Sequence, residues 1–155
     1  MRKIIATLIL TLILFSCGTK KVKSDDSVIN TTETYVSKID NNKNLKEEFT
    51  EGALTDEKGF EDIGRFEYSV LFDKDSKELF RIKNIEISNT TITERYYYHN
   101  HNLVYIVSST LNQSDKKIYT NGDKKVVSSS NASDEEVKLL LAKAKRFKNS
   151  FYRQE

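Results

Sequence analysis

From Arg65 onward the chain alternates apolar and polar positions with a period of two. Phe66, Tyr68, Val70 and Phe72 fall on one side and Arg65, Glu67 and Ser69 on the other, the pattern of an antiparallel strand with one face buried. The polar turn Asp73-Lys74-Asp75-Ser76 separates it from Leu79 to Ile87. There Phe80 and Ile82 share one phase and Ile85 and Ile87 the other, which calls for a bulge near Lys83-Asn84. Thr90 to Tyr98 and Leu103 to Thr110 form the next pair around His99-Asn100-His101-Asn102. Lys116 to Thr120 and Lys124 to Ser129 flank Asn121-Gly122, whose tolerance of positive φ predicts a tight type I′ hairpin. Leu45 to Leu54 is one more candidate strand, set among Gly52, Gly59 and Gly64.

Two helices frame these strands. Ser133 and Glu136 match a capping box, and Val137, Leu140, Leu141, Ala144, Phe147 and Phe151 repeat at helical spacing in one apolar stripe. Asp134 and Glu135 stand at the positive end of its dipole, and Lys143, Lys145, Arg146 and Lys148 toward the negative end. Near the other terminus, Thr32 is placed to cap a short helix carrying Tyr35, Val36 and Ile39, which Asn41, Asn42 and Asn44 terminate. The expected fold is α+β: an antiparallel β-meander of about six strands, a C-terminal amphipathic helix packed on one face, and a short N-terminal helix.

The first residues follow another logic. Arg2 and Lys3 precede an apolar run from Ile4 to Phe15, broken only by Thr7 and Thr11. At about 12 residues, or about 18 Å of helix, the run is too short to span a bilayer core and fits a signal-peptide core. It ends in Leu14-Phe15-Ser16-Cys17-Gly18, which resembles the lipobox of bacterial lipoprotein precursors. The resemblance implies cleavage between Ser16 and Cys17 and acylation of Cys17, with two or three chains giving a durable membrane anchor. It also implies that Gly18, in the place where Asp would favour inner-membrane retention, directs the protein to the outer membrane, facing the periplasm or the cell surface. The expected organisation is a signal peptide over 1–16, a lipidated Cys17 with a flexible tether over 17–31, and one α+β domain over 32–155. That domain resembles small uncharacterised lipoproteins of Bacteroidota in the hairpin Tyr96 to Val107 followed by the basic amphipathic helix, a resemblance that transfers no activity.

Composition then narrows the chemistry. The chain has 155 residues, one Cys, and a formal charge of +2 from 25 basic and 23 acidic side chains. Removal of Met1 to Ser16 would take Arg2 and Lys3 with it, leaving 23 basic and 23 acidic residues. No nucleic-acid partner is expected of so neutral a domain, in which Lys outnumbers Arg 19 to 6. With its single thiol acylated, the domain would have no sulfur for redox chemistry or soft-metal binding.

No H-E-x-x-H, G-x-S-x-G, P-loop or Gly-rich dinucleotide fingerprint occurs, so neither a cofactor nor a metal is expected. His99 and His101 could ligate a divalent ion only if a third donor such as Glu94 came near. If Ile92 marks the core face with Tyr96 and Tyr98, then Tyr97 faces outward with Arg95 and Thr93, an anchor for a protein or a sugar. The candidate binding residues are therefore Tyr97, Arg95, His99 and His101. The expected function is a non-enzymatic binding module of the cell envelope, with an envelope protein or polysaccharide as partner. An envelope hydrolase or metal-dependent enzyme and an immunity or inhibitor protein are the alternatives.

Overall fold

Short polar turns return each strand beside its predecessor, and the computed structural model, which describes residues 25–154 apart from Glu57, Asp123 and Lys124, carries this through the whole sheet. Helix α1 (Asp25–Asp40) is followed by β1 (Lys46–Thr55), β2 (Asp62–Phe72), β3 (Leu79–Ile87), β4 (Thr91–His99), β5 (Asn102–Thr110), β6 (Lys116–Thr120), β7 (Val126–Ser130) and α2 (Asp134–Gln154). Every neighbouring pair is antiparallel and the spatial order is β1-β2-β3-β4-β5-β6-β7. The fold is the expected α+β meander with seven strands rather than six. The additional strand is β1, the candidate among the glycines.

Both faces of the sheet are apolar at the end spanned by β2 to β6. Val70, Phe72, Leu79, Ile82, Tyr96, Tyr98, Ile106 and Ile118 pack under Val137, Leu140, Ala144 and Phe151 of α2. The intervening positions Leu71, Tyr97, Tyr105, Val107 and Tyr119 form a second core under α1, with Ile39 buried and Ile29, Tyr35 and Val36 packed around it. Burial of each large side chain contributes about 1.5–3 kcal/mol, so the helices make the sheet the middle of three layers.

Helix α2 starts as its capping box requires: Ser133 N–H donates to Glu136 Oε2 (2.8 Å) and the Glu136 N–H to Ser133 Oγ (3.3 Å). Helix α1 differs from expectation. It begins at Asp25, so part of the stretch read as tether is helical, and Thr32 is a buried mid-helix residue instead of a cap. Ile29, Thr32, Tyr35, Val36 and Ile39 follow the helical period back across the expected boundary, and Asp25 and Asp26 supply the first-turn negative charge that the dipole favours. Residues 1–24, which hold the expected signal peptide, Ser16, Cys17 and the first part of the expected tether, lie outside the described residues.

Two turn readings are also corrected. The β2–β3 register shifts between Leu71 and Phe72, which pair with Arg81 and Leu79, so Phe80 is the bulged residue while Lys83 and Asn84 pair regularly. Around Asn121-Gly122 the strands close at Thr120↔Val126, with the Asn121 N–H donating to the Lys125 carbonyl at 3.2 Å, a longer loop than a two-residue turn. Consecutive positive φ values occur instead at Asn100 (47°) and His101 (62°), between the paired His99 and Asn102. That is the type I′ geometry expected at Asn121-Gly122.

Candidate functional site

Helix α1 leaves part of its face of the sheet open. There a hollow of about 330 Å³ is lined by Phe49 and Glu51 of β1, Glu67 and Ser69 of β2, and Lys83 and Ile85 of β3. Phe49 is 75% exposed, and the same β1–β2 hairpin exposes Phe60 (85%) and Ile63 (54%). The pairing register sets like charges opposite each other here: Glu51 against Glu67 across β1–β2, and Lys83 against Arg95 across β3–β4. Directly opposed like charges destabilise a sheet. This face thus runs from acidic at the sheet edge to basic toward its middle.

The hollow is braced by a half-buried charge cluster. Ser69 Oγ donates to Glu47 Oε1 (2.8 Å), which also accepts from Arg81 Nη2 (2.7 Å). Arg81 Nη1 donates to Asp40 Oδ1 (2.7 Å), and Tyr97 Oη to Asp40 Oδ2 (2.9 Å). Burial acts to lower the Arg81 pKa, but the hydrogen bonds and charges of Asp40 and Glu47 outweigh it and the net shift is upward. The cluster ties the end of α1 to β1, β3 and β4.

On the other face, Glu94 is buried beneath α2. It accepts from Tyr96 Oη (2.7 Å), Asn84 Nδ2 (3.4 Å) and Lys143 Nζ (2.9 Å), and Lys143 also reaches Glu86 at 3.3 Å. Burial opposes the Lys143 charge, but Glu94 and then Glu86 more than compensate and hold it ionised. Burial first, then Glu94, drives the Tyr96 phenol far above its ordinary range. Both Glu94 carboxylate oxygens and the Lys143 ammonium are engaged within the group, so its geometry is that of a clamp on α2.

The residues singled out in the sequence are dispersed. Tyr97, expected to be outward, is 1% exposed because α1 lies over it. Arg95 is partly exposed on the same face, beside the hollow and opposite Lys83. His99 and His101 diverge: His99 meets Tyr35 of α1 edge to face (4.7 Å between centroids), and His101 Nδ1 lies 2.7 Å from Tyr152 Oη of α2. Glu94 is held by Lys143 beneath α2. Among the described residues no group of three or more His, Cys, Asp or Glu is placed to hold a metal ion. Nor is any described helix long and apolar enough to cross a membrane. Sequence reasoning missed Phe49, Glu51, Glu67 and Lys83; the available signal was the β1 register, which fixes Glu51 against Glu67.

No protein family, curated protein or solved structure matches this chain.

Proposed function

We propose that this chain is a non-enzymatic binding module of the cell envelope, anchored through lipid on Cys17 and favouring the outer membrane. It engages an envelope protein or polymer through the open sheet face around Phe49 and Arg95. The observation that carries the reading is the register that sets Glu51 opposite Glu67 and Lys83 opposite Arg95, beside an exposed aromatic residue. Arg65 already meets Glu67 at 3.5 Å, and a partner supplying counter-charges to Glu51, Lys83 and Arg95 accounts for the rest of an arrangement that costs stability. The lipobox-like segment Leu14 to Cys17 supports the address.

A photo-crosslinker at Ile85, which lines the hollow on the same face as Phe49, is expected in intact envelopes to capture a specific partner that the Phe49→Ser and Arg95→Glu variants lose. Cys17→Ser is expected to release the chain from the membrane fraction. Recovery of no specific adduct, combined with stoichiometric metal on the purified protein, would sink the binding reading.

A further inference from the structure

Three features of the β1–β2 hairpin point to one kind of occupant. The first is the edge. Strand β1 is ten residues long, ends the sheet, and pairs regularly with β2 until the shift at Leu54/Thr55. Sheet edges are ordinarily blunted by shortness, proline, bulges or lysine. The other edge strand, β7, has five residues, whereas β1 is long, contains no proline and is largely exposed, with its one lysine, Lys46, at its first position. Its outer row of peptide groups can accept another strand.

The second feature is charge. Residues 46 to 67 hold eight acidic side chains against three basic ones, a net of −5 in a chain whose whole formal charge is +2. Two β1 edges brought together would appose Glu47, Glu48 and Glu51 of each copy, so self-pairing is opposed. A cationic strand is attracted by the same residues.

The third feature is the spacing of side chains available to such a strand. Glu47 is committed to Arg81 and Ser69, leaving Phe49 and Glu51 next along that face, while Glu48 on the opposite face holds an exposed, exchangeable ion pair with Lys46 at 2.6 Å. A strand laid beside β1 meets an apolar residue and then an acidic one on the side of the hollow.

Resting on the binding reading above, we infer that β1 is an acceptor edge for an extended cationic segment of a partner protein. The segment adds as an eighth antiparallel or parallel strand, with an apolar side chain beside Phe49 and basic ones beside Glu48 and Glu51. Backbone pairing supplies affinity and the acidic edge supplies selectivity.

The test uses a ten-residue peptide of lysine and valine in alternating pairs, so that each face of the strand carries both. Calorimetry on the full chain is expected to show binding that weakens as salt rises. N-methylation of one alternate set of amides is expected to weaken it by at least about tenfold, and of the other set by less than about twofold. The doubly substituted Glu48→Lys, Glu51→Lys protein, checked for an unchanged melting temperature, is expected to prefer the peptide with glutamate in place of lysine. Failure of the lysine peptide to bind, equal binding of the glutamate peptide by the unaltered protein, or equal effects of the two methylation patterns overturns strand addition. If a Phe49-dependent partner is still captured in envelopes, the binding reading survives that failure. If no partner is captured but the peptide binds as expected, the edge is an acceptor and the envelope reading is the part that falls.

Discussion

Replacing Lys143 by Met tests whether the charged clamp under α2 is as buried as it is drawn. Met preserves the apolar length of the side chain, so the main loss is the ammonium that sits 2.9 Å from Glu94. The Glu94 side chain is only 5% exposed and that of Lys143 19%, which leaves little solvent to screen the carboxylate. Removal of one partner from a buried pair costs about 3–5 kcal/mol. For a domain of this size, at roughly 3 to 5 °C per kcal/mol, the expected fall in Tm is on the order of 10 to 20 °C. The pH dependence gives the mechanism. Burial penalises an unpaired charge, so the deficit is expected to be larger near neutrality than in acid. Adding Glu94→Gln removes the stranded charge while its amide oxygen still accepts from Tyr96 and Asn84, so the double variant should recover about 1–2 kcal/mol of the single variant's loss. Urea melts of the three variants at two pH values measure all of this. A Lys143→Met loss below about 1 kcal/mol that is the same at both pH values, with additive single effects, would refute the buried-clamp reasoning.

Tyr97→Phe removes the hydroxyl that donates to Asp40 at 2.9 Å beneath α1 and should cost about 1–2 kcal/mol in urea unfolding; an exposed Tyr97 would give no loss. A Cβ on Gly64 would stand 2.2 Å from the Ile87 carbonyl oxygen, whereas one on Gly52 would meet the Phe66 ring at 2.7 Å. Because backbone cannot swing aside and a ring can, Gly64→Ala should lower Tm more than Gly52→Ala, the former by roughly 1–3 kcal/mol equivalent. All eight tyrosines have pKa values raised, burial being the first cause of each, with Tyr68 pushed up to about 12. Their contribution to stability is intact below the unfolded value near 10 and is lost as pH rises through and beyond it, so tyrosinate absorbance and circular dichroism should change together in one alkaline transition. Tyrosine titration near pH 10 in a chain that stays folded would contradict it.

The sheet was legible because side-chain direction alternates along a strand: Tyr68, Val70 and Phe72 assigned one face, the bounds of β3 followed from its apolar run, and β6 was placed by the Asn121-Gly122 turn after it. The second core was harder to see. Leu71, Tyr97, Tyr105 and Tyr119 occupy the off-phase positions, and Tyr97 read as outward because α1 advertises itself with few apolar residues. The helix covers these tyrosines as much by accepting and donating hydrogen bonds as by apolar area: Tyr119 Oη donates to Glu33 at 2.8 Å and Tyr35 Oη to the Tyr98 carbonyl. A search for apolar stripes does not register partners of that kind. The open face was obscured for a different reason. Glu51, Glu67, Lys83 and Arg95 become a charge pattern only once the register is known, since a shift of one residue would place them on the other side.

Strand order that follows chain order also determines how the sheet can assemble. Each ladder closes between segments joined by a short turn, so the entropy of loop closure is incurred in hairpin-sized pieces. The contacts of long sequence separation belong to the helices: Glu33 to Tyr119, Tyr35 to Tyr98, and Leu79 to Tyr152. Sheet growth is therefore a local process that can advance from either end, while docking of α1 and α2 is the cooperative step that joins residues 25 to 40 and 134 to 154 to one folded unit.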